Sequence, residues 1–436
     1  GRDAYRLYDP SLHRHAAVAV RGRFFAVDIV DENGIDPLPL DVVEGRLRRC
    51  VELAEEGARG GPELELGLLT SAGRDLWADA REVLLSSGGS DVGRALEKLE
   101  SGMVLLCLDD EKPISWAQCA KLYWHGSISS SANRWFDKSI QLICTKNGKL
   151  GYLGEHSMAD GMPAVGLCRH ILQQTYRKSA ETTGDSGTSS DWNDGAVVDI
   201  FSDCMGNLSA SKDLSQLIVK AKENITSLVH ENGLNFQSFQ GYGSDYIKSV
   251  GHSPDAFVQM AIQLATYRLF GKQVGTYEST QVRKFLHGRT ETTRSVSEAS
   301  SAFVRKMGLM RYQGNGDEKL SLLRAATDGH TVYIRDAAQG MGVDRHLLGL
   351  SLLVEEGEES PTLFSDPLFL RAKRWRVSTS TLPNIPGFGP VVPDGVGIAY
   401  DIRPRSCYFT ITAREEHNWT DRLSHLMEEA LLEMKD

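Results

Sequence analysis

The sequence has no Cys-x-x-Cys pair, no excess of basic charge, and no apolar run of the roughly eighteen residues that a membrane-spanning helix needs. Its seven cysteines (Cys50, Cys107, Cys119, Cys144, Cys168, Cys204 and Cys407) are odd in number and widely separated. That spacing supports neither a zinc site nor a disulfide framework, so reduced, buried thiols in an intracellular protein are expected. The net charge of −10 argues against a nucleic-acid partner, which needs clustered Lys and Arg. It leaves room for a local basic pocket that receives a phosphorylated ligand.

What is present is globular. With 436 residues, 41% hydrophobic and 24% charged, the chain exceeds one ordinary core, and two α/β domains are expected, residues 1–207 and 208–436. Ala16 to Val30 reads as two strands around the turn Arg21-Gly22-Arg23. Met103 to Leu108 is a continuous apolar run ending in Asp109-Asp110, as a buried strand does. Ile140 to Cys144 is another strand. Helical spacing marks Leu40–Glu56, Asp75–Leu85 and Lys212–Val229. Ser253-Pro254-Asp255 opens the strongest helix, with Ser253 as N-cap and Pro254 in the first turn. The aperiodic polar stretch from Ser179 to Gly195 reads as an exposed loop.

One segment carries chemistry. His156 and Asp160 stand four apart and Gly161 follows, in Glu155-His-Ser-Met-Ala-Asp-Gly161. On a helical turn both side chains would share a face; a sharp turn at the glycine would fold the carboxylate back beneath the imidazole. In either arrangement the aspartate fixes a tautomer or the local structure, and a fixed imidazole is a competent general base near neutral pH.

Three further segments follow in order: Thr276-Tyr-Glu-Ser279 with His287-Gly-Arg-Thr-Glu-Thr292; Gly342-Val-Asp-Arg-His-Leu-Leu-Gly-Leu350; and Ser378-Thr-Ser380 with Gly387-Phe-Gly-Pro-Val-Val-Pro-Asp-Gly395. Together with the His156 segment, and with Arg21–Phe25, Leu108–Asp110 and Asn133–Lys138 upstream, they closely resemble the carnitine/choline acyltransferase family over essentially the whole chain. Members of that family carry a further amino-terminal region, and the chain starts Gly-Arg-Asp without an initiator Met. It is therefore expected to be a piece of a longer protein. The resemblance implies two similarly folded CoA-dependent acyltransferase domains with an active-site tunnel between them. It also implies acyl transfer between CoA and the hydroxyl of carnitine, with CoA as co-substrate and neither a metal nor a bound cofactor.

By the same resemblance His156 is the base that takes the proton of the carnitine hydroxyl. Asp160 supports its loop and pairs with Arg289, and Ser380 donates to the oxyanion. Tyr277, Thr290, Arg345 and Ser378 match positions that receive the carnitine carboxylate, and Phe388 matches an aromatic that faces the trimethylammonium. Choline lacks a carboxylate, and choline enzymes differ where this chain has Thr290 and Arg345, so carnitine is the expected alcohol. Lys248, Asp255, Glu278 and Ser279 match CoA-contacting positions. The second lysine of that grip is replaced by Ser244, and Asp255 also suits a helix start.

The resemblance implies that acyl length is set just before Gly387-Phe388. Pro386 in that gate would fill it, whereas Gly387 there would leave a channel for a longer chain. An acetyl or other short acyl group is expected, with a medium- or long-chain carnitine acyltransferase as the alternative. The alternative of another class is an inactive fragment that binds CoA. A monomer in mitochondrion or cytoplasm is expected, since the last residues spell no peroxisomal tripeptide.

Overall fold

The computed structural model describes residues 4–34, 36–58, 64–181, 196–309, 316–355, 357–383 and 387–436. The chain forms two compact units, Gly1–His230 and Glu231–Asp436. The division falls between His230 and Glu231, at the end of the Lys212–Glu231 helix, instead of near residue 207. The reason is packing: Leu214, Ile218, Ala221 and Ile225 on that helix are buried in the core of the first unit.

The first unit holds six described strands: β1 (His15–Val20), β2 (Arg23–Asp28), β3 (Leu105–Asp109), β4 (Ile140–Thr145), β5 (Leu150–Gly154) and β6 (Val197–Asp199). Their order is β5-β4-β3-β1-β2-β6. β1 pairs in parallel with β3, and β3 with β4, while the other three pairings are antiparallel. The alternation of strand side chains explains the layers. Ala17, Ala19, Phe24 and Ala26 enter one core with Trp77 and Trp135, and Val18, Val20, Phe25 and Val27 enter another with Cys50 and Ala54 of the Leu40–Ala58 helix. The Asp75–Leu85 periodicity belongs to a longer element, Arg74–Ser101, which bends at Gly89.

Two of the upstream segments that carry the resemblance, Leu108–Asp110 and Asn133–Lys138, are built into the scaffold of the first unit. Arg134 and Asp109 form a fully buried two-pronged pair, Nη1–Oδ1 at 2.8 Å and Nη2–Oδ2 at 2.6 Å, joined by Asn133 at 2.9 Å. Lys138 donates to the carbonyls of Glu100 (2.6 Å) and Gly102 and so caps the Arg74–Ser101 helix. Burial pulls its amine down to about 8. The Gly161–Glu181 helix runs into the start of the polar stretch beginning at Ser179, and residues 182–195 lie outside the described residues.

The second unit holds β7 (Asn232–Phe239), β8 (Thr276–Gln281), β9 (Thr290–Arg294), β10 (Val377–Thr381), β11 (Val396–Ile402) and β12 (Cys407–Arg414) in the order β7-β12-β11-β10-β8-β9. Read from β7, the pairings run antiparallel, antiparallel, parallel, parallel, antiparallel. The first sheet, read from β6, shows the same sequence of orientations. The two units are therefore similar α/β folds. One face of the second sheet, with Val377, Ile398, Tyr400, Phe409 and Ile411, packs on the Pro254–Phe270 and Trp419–Lys435 helices. Ser253 caps the first of these through its side chain to Ala256 N, and Gly271 ends it at φ +70°. The opposite face presents Tyr277, Ser378, Ser380, Gly397, Thr410 and Thr412, one residue out of step.

Among the described residues no helix is long and apolar enough to cross a membrane. The cysteines are free; five are buried, and Cys144 and Cys168 are half-buried. Burial pushes Cys50, Cys107 and Cys407 up to about 12, which leaves them unreactive thiols.

Candidate active site

In the first unit, β5 ends at Gly154 and the Gly161–Glu181 helix begins seven residues on, so His156 sits on a turn and is exposed. The Glu155 carboxylate tightens that turn by accepting from the backbone N–H of Ser157 at 3.0 Å and from its hydroxyl. Nδ1 of His156 lies 2.9 Å from the carbonyl oxygen of Ala159 and 3.9 Å from Asp160 Oδ1. A carbonyl only accepts, so Nδ1 carries the proton in this bond, and Nε2 of the neutral ring is its basic nitrogen. The backbone, closer than the carboxylate, fixes the tautomer. Asp160 is largely buried immediately before the helix, where a carboxylate suits the positive end of the macrodipole.

The second unit gathers most of the residues expected to hold carnitine. Arg345 lies in the Asp344–Leu352 helix, and its Nη2 donates to the Tyr277 hydroxyl at 3.1 Å and to Thr290 Oγ1 at 3.3 Å. Its Nε donates to the Thr290 carbonyl at 3.0 Å. Tyr277 and Ser378 are register partners on β8 and β10 and so face the same way. Ser380 follows two residues along β10 on that face. The carbonyl of Phe388 accepts from Thr412 Oγ1 at 2.6 Å, and the register partner of Thr412 is Gly397, where a Cβ would stand only 2.8 Å from the same carbonyl. Glycine is needed there for the Phe388 segment to lie against the sheet.

The helix that carries Arg345 is itself tied to this sheet. Asp344 accepts from Arg294 on β9, Nη2–Oδ1 at 2.6 Å and Nε–Oδ2 at 3.0 Å. Glu291 on the same strand accepts from the backbone N–H of Arg345 at 3.3 Å. Gly342 permits this approach, since a Cβ there would meet the Glu291 side chain at 2.3 Å.

The residues expected to contact CoA are more dispersed. Lys248 is exposed on the short helix Ser244–Ser249. Ser279 is half-buried on the same face as Tyr277. Glu278 points the other way and is fully buried, with one oxygen 2.6 Å from Nε2 of His330. Asp255, in the first turn of the Pro254–Phe270 helix, accepts from the Tyr400 hydroxyl at 2.7 Å. Sequence reasoning passed over His330, Tyr400 and Gln259, which complete this buried group. They lie in two helices and a strand, without a motif to mark them. Arg289 is exposed just before β9, and Asn384, Ile385 and Pro386 of the acyl gate lie outside the described residues. Gly387 packs near Thr410, where a Cβ would come within 3.3 Å of its methyl.

The sequence profile named Choline/Carnitine o-acyltransferase matches residues 1–429. The carnitine O-acetyltransferase of Columba livia is 33% identical over 97% of this chain and 66% of its own length. The choline O-acetyltransferase of Sus scrofa is 32% identical over 97% of this chain and 65% of its own. The mitochondrial carnitine O-acetyltransferase of Saccharomyces cerevisiae is 32% identical over 99% and 63%. The chain thus spans just under two thirds of the length of these curated relatives. Among solved structures, the trichothecene 15-O-acetyltransferase of Fusarium sporotrichioides matches with a TM-score of 0.39 at 13% identity, over 74% of this chain and 76% of that one, too remotely to bear on function.

Proposed function

We propose, because the chain belongs to the choline/carnitine O-acyltransferase family, that the protein containing it transfers an acyl group reversibly between CoA and the hydroxyl of carnitine. The observation that carries carnitine over choline is the placing of Arg345 against Tyr277 and Thr290. Carnitine brings a carboxylate, which is costly to bury without a cation, and choline brings none. Arg345 supplies that cation, with the hydroxyls of Tyr277, Thr290 and Ser378 as further donors. The trimethylammonium has no N–H, and the Phe388 ring offers it a π-face.

His156 acts as the general base. The Ala159 carbonyl keeps the proton on Nδ1, so Nε2 removes the hydroxyl proton as the carnitine oxygen attacks the thioester carbonyl. The same proton then goes to the CoA sulfur as the C–S bond breaks. A positioned base of this kind supplies about 10²–10⁴-fold in rate. The Ser380 hydroxyl donates to the tetrahedral oxyanion, a role worth about 10²–10³-fold. Asp160 holds the His156 turn. Lys248, Asp255, Glu278 and Ser279 serve the CoA side, with Glu278 acting from beneath the sheet. The acyl group is short, with acetyl and propionyl preferred. The protein is a mitochondrial or cytoplasmic monomer.

Thiol release from acetyl-, octanoyl- and palmitoyl-CoA with carnitine or choline, measured on the full-length protein, tests this reading. Acetyl-CoA with carnitine is expected to be fastest. A preference for palmitoyl-CoA would remove the short-chain reading and leave carnitine standing, whereas a preference for choline would remove the assignment of Arg345.

A further inference from the structure

Beneath β8, on the helix side of the second sheet, Glu278, Asp255, His330, Tyr400 and Gln259 form one buried polar group. Glu278 is fully buried and His330 only 4% exposed. Nε2 of His330 is 2.6 Å from Glu278 Oε2, and the Tyr400 hydroxyl is 2.7 Å from Asp255 Oδ1 and 3.3 Å from Glu278 Oε1. Gln259 Nε2 donates to Tyr400 at 3.0 Å and to Thr379 Oγ1 at 2.9 Å; Thr379 in turn donates to the backbone carbonyl of Tyr277 at 2.9 Å. The network therefore reaches the residue that holds Arg345 on the other face.

Glu278 lies between Tyr277 and Ser279, so whatever anchors its carboxylate sets the height and twist of both neighbours. A carboxylate buried this deeply needs charge-assisted donors. His330 is one of them. Its Nδ1 is buried and faces no hydrogen-bond partner, which suits a neutral ring whose single proton sits on Nε2 and is aimed at Glu278. These short bonds pair both oxygens of Glu278 and one of Asp255, leaving Asp255 Oδ2 without a hydrogen-bond partner, and one ligand atom each of Asp255, Glu278 and His330 lies within 4.8 Å of the others, close enough to hold a cation.

We infer that His330 is a positioning residue: through its Nε2–H it anchors Glu278 and thereby fixes the Tyr277–Ser279 segment for substrate binding. This rests on the acyl-transfer reading. A resident metal ion is not part of it.

The test compares His330→Gln, which keeps an N–H near the Nε2 position, with His330→Phe, which keeps bulk and loses the donor. With acetyl-CoA and carnitine and the full-length protein, His330→Phe is expected to raise KM for carnitine about tenfold or more, with kcat within about threefold of wild type. His330→Gln is expected to restore most of that loss. If His330→Phe does not fold, Glu278→Gln with His330→Phe removes the unpaired charge, and its carnitine KM is expected to remain raised. In wild type a far-downfield proton resonance of the His330 Nε2–H should be present, and Glu278→Gln should abolish it. A wild-type KM in His330→Phe or in the double variant, a His330→Gln as impaired as His330→Phe, absence of the resonance, or a stoichiometric metal ion in the purified protein would each overturn the inference. An inactive wild type would instead overturn the acyl-transfer reading, and this inference with it.

Discussion

The guanidinium of Arg345 donates to the hydroxyl of Tyr277 at 3.1 Å, and its central carbon stands 5.7 Å from the centre of that ring. The ring and Thr290 hold an exposed cation in one place instead of leaving it to sweep through solvent. Arg345→Asn removes a charge-assisted donor worth about 1.5–3 kcal/mol, so KM for carnitine should rise about 10–100-fold while KM for acetyl-CoA moves much less. Steady-state kinetics with each substrate varied in turn checks this. An unchanged carnitine KM would contradict the assignment.

Asp344 steers Arg345 from one residue away. Its two bonds to Arg294 hold the Asp344–Leu352 helix against β9. Asp344→Asn weakens that hold without removing the Arg345 guanidinium, and a raised carnitine KM of about fivefold is expected, the value of one net hydrogen bond. If Asp344→Asn leaves carnitine binding as it was, the helix is placed by other contacts.

The Arg134–Asp109 pair makes a stability prediction. Both side chains are fully buried, so Asp109→Ala strands a guanidinium in the core and should cost about 3–5 kcal/mol in unfolding free energy. Asp109→Leu combined with Arg134→Met should recover much of that loss, because the desolvated charges disappear together. Urea unfolding of both variants measures it; a double variant as unstable as the single one would argue that the pair is more than a satisfied charge.

Strand alternation and capping residues made the elements legible. Ser253-Pro254 starts a helix in the structure as it does on paper, and the Ala16–Val30 hairpin turns at Arg21-Gly22. The grouping of Tyr277, Thr290 and Arg345 was legible only through resemblance. Their bonds join β8, β9 and a helix about fifty residues further on, a juxtaposition that no local period encodes. Three features were not legible. The Ala159 carbonyl as partner of His156 depends on turn geometry. The burial of Glu278 depends on which sheet face the helices cover. The domain boundary depends on where the Lys212–Glu231 helix packs.

A pH dependence follows from the buried carboxyls. Burial, and next the charge of Glu278, pushes Asp255 from 3.8 up to about 7, and burial pushes Glu278 from 4.5 up to about 7. In the unfolded chain both lose their protons near the ordinary values. Between about 4 and 7 the folded state therefore binds more protons, so these groups make stability fall as pH rises, levelling off above about 7. Asp255→Asn removes one such group. Its urea midpoint relative to wild type should climb from pH 5 to pH 7 and then stay level, whereas an offset independent of pH would contradict the burial argument.

The most direct measurement of the central claim is CoA release from acetyl-CoA with saturating carnitine, in wild type and His156→Ala side by side, each checked for an intact fold by its thermal transition. Wild type should turn over, and the variant should retain no more than about 1% of that rate, the loss of a positioned base. A folded His156→Ala that keeps substantial activity would contradict the account, because some other group would then be removing the proton from the carnitine hydroxyl.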